Sequence, residues 1–167
     1  GHRQDYNLNG NQRSEKSNLY YSAGYLDEKG YVNHTDYKRF TGRLNADMKP
    51  VEWFKYGLNL GGSHQTSNTV PGSSDNAGSF VSPYYFATTM APIYTVYKHD
   101  PSTGEYVLDY NGAKQYEEGT GVRAQNVGRH SIWENELNRD VTYRNTVNGQ
   151  VYLDVNFLQD FTFAVKG

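Results

Sequence analysis

Along much of the chain, apolar and polar residues alternate one for one. In residues 4–10, Tyr6 and Leu8 fall on one side and Asp5, Asn7 and Asn9 on the other. Past a polar turn at 13–17, Leu19, Tyr21, Ala23 and Tyr25 alternate with Tyr20, Ser22 and Gly24. A period of two is the signature of a strand with one face in water. Residues 27–36 form a polar connection around Gly30. The clearest stretch then follows. Leu44, Ala46 and Met48 sit between Arg43, Asn45, Asp47 and Lys49, and Pro50, which has no N–H to donate, is expected to break the ladder. After a short connection, Phe54, Tyr56, Leu58 and Leu60 alternate with Lys55, Gly57, Asn59 and Gly61. The pattern predicts a tight antiparallel hairpin, apolar on one face, with charges, amides and glycines on the other.

The middle of the chain changes character. Residues 61–78 read as a Gly/Ser/Thr/Asn loop, and 80–90 as a short helix or irregular plug. Residues 93–97 and 106–110 read as a small hairpin around Asp100-Pro101-Ser102-Thr103-Gly104, which has Pro and Gly where turns want them. Residues 112–130 are polar, and 131–139 suit one or two helical turns. An excursion of about 61–140 is too long for a routine connector and is of the kind that carries function. The alternation then returns. Val151, Leu153, Val155 and Phe157 precede a short turn at 158–160, and Phe161, Phe163 and Val165 follow it. Val147-Asn148-Gly149-Gln150 is a type I′ hairpin signal that would split 141–157 in two. Gly149 could equally mark a close approach inside one long strand.

Composition narrows the class. The 167 residues carry a net charge of -2 with 20% charged residues, so nothing here suits a nucleic-acid partner, which needs clustered positive charge. The hydrophobic fraction is 36%, yet aromatics reach 15%, with 16 Tyr, which argues against a disordered chain. The absence of cysteine excludes a disulfide scaffold and a zinc ribbon. No run of about 18 apolar residues offers a membrane helix, but a barrel strand needs only about 10 residues of alternating character. Residue 1 is Gly with no leader-like segment behind it, the expectation for a chain that is mature or cut from something longer.

A soluble sandwich and a membrane barrel both alternate. The barrel also keeps its turns short at one end and long at the other, gathers aromatics at the membrane interface, and points its charges into a wet lumen. Short turns at 50–53 and 158–160, aromatics at Trp53, Phe54, Tyr56, Phe157, Phe161 and Phe163, and charges at Arg43, Asp47, Lys49, Lys55 and Asp154 opposite the apolar face satisfy all three. Periodicity alone leaves both architectures open. A resemblance adds to it. The stretches Gln4-Asp5-Tyr6-Asn7-Leu8, Asn18 through Gly30, Tyr37 through Asn45 and Trp53 through Leu60, in that order and spacing, resemble a barrel segment of the SusC/RagA-type TonB-dependent outer-membrane transporters of Bacteroidetes. Residues 145–167, with the aromatic-Leu-x-x-aromatic-Thr turn of Phe157 to Thr162, resemble a later strand–turn–strand of the same family, and favour one long strand through Gly149. Residues 65–130 do not match usefully.

The resemblance implies an all-β segment of a barrel of about 22 strands in the bacterial outer membrane. It also implies a lumen plug, energy from the TonB complex, a SusD-like lipoprotein as lid, and import of glycan or peptide fragments. Roughly six strands, about 2–64 and 141–167, cannot close such a barrel, so the chain is expected to be part of a longer one. The competing reading is a secreted Tyr-rich β-domain that binds carbohydrate or acts in adhesion.

No enzyme motif is present, whether nucleophile elbow, P-loop or dinucleotide fingerprint. The five His are dispersed, and Glu117-Glu118 and the scattered Asp read as solvated loop residues, so no catalytic residue, metal ligand or cofactor is expected. The candidate substrate or partner contacts are the aromatics of the excursion: Tyr84, Tyr85, Phe86, Tyr94, Tyr97 and Trp133. Stacking on a sugar ring or a peptide side chain is one use for them, and packing the excursion together is the other.

Overall fold

A computed structural model describes residues 1–70, 82–157 and 161–167. The elements in order are β1 (His2–Arg13), β2 (Ser17–Lys29), β3 (Asp36–Val51), β4 (Phe54–Thr69), α1 (Pro83–Thr89), α2 (Ser131–Leu137), β5 (Asp140–Phe157) and β6 (Phe161–Lys166). The fold is all-β, as expected, an open antiparallel sheet compatible with part of a barrel. Its six strands lie side by side in chain order. The chain divides into two compact units. The first comprises residues 1–29, 36–67 and 142–167, and the second 30–35 and 68–141.

The first unit is the sheet. Its register sets Tyr6 opposite Tyr25 and Tyr25 opposite Phe40, Ser22 opposite Arg43, and Ser17 opposite Met48. Because side chains alternate along every strand, the register sorts the sheet into one apolar and one polar face. The turn at 14–16 lies beside the end of β3, where Lys49 N donates to Lys16 O at 2.8 Å. The turn at 52–53 lies beside the end of β5, where Asn156 N donates to Trp53 O at 2.8 Å. The short turns therefore share one end of the sheet. The expected turn at 158–160 lies outside the described residues.

The structure lengthens the strands beyond what alternation showed. β3 continues through Pro50 to Val51 rather than breaking there. A proline in the last turnward positions forgoes a ladder bond that the hairpin end does not need. β4 runs to Thr69, so 61–69 is strand and not loop; residues 71–78 lie outside the described residues. What holds this polar stretch extended is pairing with β5, seen where His64 Nδ1 meets Asn145 Oδ1 at 2.6 Å and Asn59 reaches Gln150. Partner strands here override local propensity. The same pairing keeps β5 a single strand from Asp140 to Phe157, with Gly149 set against Leu60 of β4 rather than turning.

Gly57 illustrates how the polar face is packed. Tyr152 of β5 lies across it and donates its hydroxyl to Asp47 of β3 at 2.5 Å. Lys55 rests over the same ring, 5.2 Å from its centroid. A side chain at residue 57 would occupy the space the Tyr152 ring needs.

The second unit is a folded lobe rather than an unstructured connector. Bridges at Tyr97–Tyr116, His99–Tyr106 and Leu108–Lys114 move the first arm of the expected small hairpin from 93–97 to the residues around His99 and add a third segment. Two helices accompany it, at positions the sequence indicated. Pro83 sits at the start of α1, where its missing N–H costs nothing. His130 caps α2, accepting from Trp133 N. Val70 and Phe86 are buried together with polar Ser82, Glu117, Arg123, His130 and Asn135. The Arg123 guanidinium offsets its desolvation by donating to the carbonyls of Glu117 (3.1 Å) and Arg129 (2.8 Å).

Candidate functional site

The sheet's apolar face is uncovered across all six strands. Leu8 is 70% exposed and Val147 85%, and Tyr21, Phe40, Val151, Phe161 and Phe163 are also exposed. A soluble monomer rarely leaves more than about 600 Å² of apolar surface in one patch. The aromatics on this face form two rows. One is Tyr6–Tyr25–Phe40, lined up by the register at the end remote from the short turns. The other lies at the short-turn end. There Trp53 and Phe54 are 5.8 Å apart, Phe54 and Tyr56 5.5 Å, and Phe157 stacks on Phe161 at 5.8 Å. The Tyr56 hydroxyl reaches Met48 Sδ at 2.9 Å, which ties this row to β3. From Phe40 to Met48 is about 27 Å along the strand, and about 20 Å after the usual barrel tilt.

The polar face is concave. Asn7, Asn9, Ser22, Arg39, Thr41, Arg43, Gln65 and Asn148 line a cleft of about 550 Å³ on it. Of the expected inward charges, Asp47 is engaged by Tyr152, and Lys49 pairs with Glu52 at 2.6 Å.

In the second unit, Tyr97 is the hub of an aromatic cluster. Its ring centroid lies 5.1 Å from Tyr116 and 6.1 Å from Tyr106. Tyr116 in turn stacks on Trp133 at 6.4 Å and touches His130 at 5.0 Å. Lys114 Nζ sits 3.6 Å above the Tyr106 ring, a cation–π arrangement. Tyr116, Trp133, Lys98, Lys114, Glu118 and Glu136 line a cleft of about 400 Å³, with Lys98 and Glu118 paired at 3.1 Å. Burial, reinforced by its hydrogen bond to Glu136, pushes the Tyr116 phenol well above its ordinary range. Burial also lowers the His130 pKa, aided by the positive charge of Arg123.

The six sequence-derived contact residues are thus divided. Tyr97 and Trp133 come together through Tyr116. Tyr84 is exposed, edge-on to Tyr31 at 6.4 Å, and accepts from the Tyr31 hydroxyl. Tyr85 and Tyr94 are half-buried. Phe86 is only 5% exposed, in the interior of its unit. Sequence reasoning passed over Tyr106, Tyr116 and Lys114, which complete the cluster. The spacing Tyr97, Tyr106, Tyr116 across two turns was the available signal.

No family model matches the chain. The sequence is similar to a TonB-dependent receptor of Formosa agariphila, with 34% identity over 56 residues. That stretch is 34% of this chain and 5% of the receptor, so the chain spans a small part of that relative's length. The likeness is to one short stretch of a TonB-dependent receptor.

Proposed function

We propose that this chain forms part of the wall of a TonB-dependent importer in the bacterial outer membrane. The observation that carries it is the uncovered apolar face bordered by two aromatic rows, comparable in height with the roughly 25 Å lipid-facing band and paired girdles of an outer-membrane barrel. On this reading the apolar face meets lipid and the concave face lines the lumen. The free edges of β1 and β6 pair with further strands, since an open edge in lipid leaves backbone groups unsatisfied. The similarity to a TonB-dependent receptor supports the same reading. We assign it more finely to the SusC/RagA type, importing glycan or peptide fragments with a SusD-like lipoprotein and energised by the TonB complex. The second unit is then the extracellular excursion, a non-catalytic contact surface for substrate or lid.

Membrane fractionation of cells making the full-length protein tests this. The protein should be in the outer membrane, migrate faster on gels before heating than after, and retain a lipid-anchored partner when extracted in mild detergent. Recovery in the soluble fraction would overturn the reading in favour of a secreted binding domain. Barrel behaviour without a lipoprotein partner would remove only the SusC-type assignment.

A further inference from the structure

We infer that the concave face of the sheet holds a binding site for an anionic group, a carboxylate, sulfate or phosphate borne by the solute, built around Arg39 and Arg43. The inference rests on reading that face as the lumen wall. Both residues project from β3 to the same side, four positions and about 13 Å apart, and both line the 550 Å³ cleft. Neither guanidinium has an ion pair or hydrogen bond among the described residues. No Asp or Glu lines the cleft; its other polar groups are amides and hydroxyls such as Asn7, Asn9, Gln65 and Asn148.

Three carboxylates elsewhere on this face, Asp5, Glu28 and Asp47, are engaged. Asp5 and Glu28 both approach Arg3 at 3.5 Å, and Asp47 takes the Tyr152 hydroxyl. The floor between the two arginines is kept low by Gly24, which the register sets opposite Thr41. A Cβ there would lie 2.7 Å from both Asn7 Oδ1 and Thr41 Oγ1. The hollow therefore presents two unpaired planar cations above a floor of small and amide groups. A guanidinium grips a carboxylate, sulfate or phosphate through two parallel N–H donors, and the amides can hydrogen-bond the neutral remainder of the solute. Arginines lining a passage likewise favour anions over cations.

The test is arginine modification on the full-length protein in outer-membrane vesicles. Phenylglyoxal labelling at Arg39 and Arg43 is read by mass spectrometry in chloride, then in acetate, sulfate or inorganic phosphate at matched ionic strength, with Arg3 as internal reference. At least one of the three oxyanions should slow labelling of both arginines about tenfold relative to chloride, leaving Arg3 unchanged. The strongest protector identifies the charged group. Arg39→Gln should abolish most of the protection at Arg43. Labelling at equal rates in all four salts would overturn the anion site while leaving the lumen assignment intact. If Arg39 and Arg43 resist the reagent in every salt while a cysteine at Phe40 reacts with a water-soluble maleimide, the faces are reversed and the underlying reading fails with it.

Discussion

On the proposed assignment, Leu44 is where lipid and lumen are most sharply distinguished. It lies on the apolar face of β3, four residues from Phe40 in one aromatic row and four from Met48, which Tyr56 ties to the other. Each interval is about 13 Å of strand, so Leu44 falls at the middle of the band. Arginine at the midplane of a barrel's lipid face costs about 2–4 kcal/mol. The next residue, Asn45, points to the concave face. Surface substitutions away from special features usually stay within about 0.5 kcal/mol. The two variants, Leu44→Arg and Asn45→Arg, differ by one position and by the whole lipid penalty. Urea titration of the full-length protein folded into lipid vesicles, followed by tryptophan fluorescence, measures both. Leu44→Arg should lower the unfolding free energy by about 2–4 kcal/mol, and Asn45→Arg by a small fraction of that. Equal and small losses would mean that Leu44 faces water and that the apolar face is not a lipid face.

Other outcomes follow from the same geometry. Gly57→Val should displace the Tyr152 ring and lose its bond to Asp47, costing about 1–3 kcal/mol; Tyr152→Phe should cost less, because it removes the bond and keeps the packing, and a reversed order in urea titration would refute the stacking argument. His130 is held below its ordinary value of 6.5 by burial, so the unfolded state takes up the proton first. Its contribution is present above about pH 6.5 and lost as pH falls through the depressed folded value, so amide exchange around α2 should quicken with acidification beyond its intrinsic pH trend, and an unchanged protection factor from pH 7 to 5 would contradict the assignment. Changing Tyr84 and Tyr85 together to Ala should weaken substrate or lid association in a pull-down while the barrel still assembles; Phe86 is left intact because it is interior. An epitope inserted beside Tyr110, which is 96% exposed, should be reached by antibody on intact cells, and labelling only after permeabilisation would put the excursion on the wrong side.

The strands were legible because their chemistry is strictly two-faced. Leu44, Ala46 and Met48 against Arg43, Asn45 and Asp47 admit one register of faces and no other. What sequence could not supply was information held by partner strands. The polar run from Gly61 to Thr69 reads as loop in isolation, yet it is extended because β5 pairs with it. At Gly149 the residues alone leave a turn and one long strand open, and the long strand favoured by the resemblance is the one formed, with Gly149 set against Leu60. The aromatic row Tyr6–Tyr25–Phe40 is invisible along the chain, since its members come from three strands and only the register aligns them. In the second unit, the two short helices were visible but the interior was not. Its buried polar groups, Arg123 and Glu117 among them, have the composition of a solvated loop, and only the folded unit shows that they are inside, with their hydrogen bonds made there.

The most direct test of the lipid-and-lumen assignment is a spin-label scan along β3 of the full-length protein in lipid vesicles, one cysteine at a time from residue 39 to residue 48. Labels at 40, 42, 44, 46 and 48 should collide with dissolved oxygen and be shielded from a water-soluble nickel quencher. Labels at 39, 41, 43, 45 and 47 should show the opposite, a period-two alternation in which oxygen access peaks near 44. Uniform quenching by nickel at all ten positions, or alternation in the reverse phase, would contradict the account.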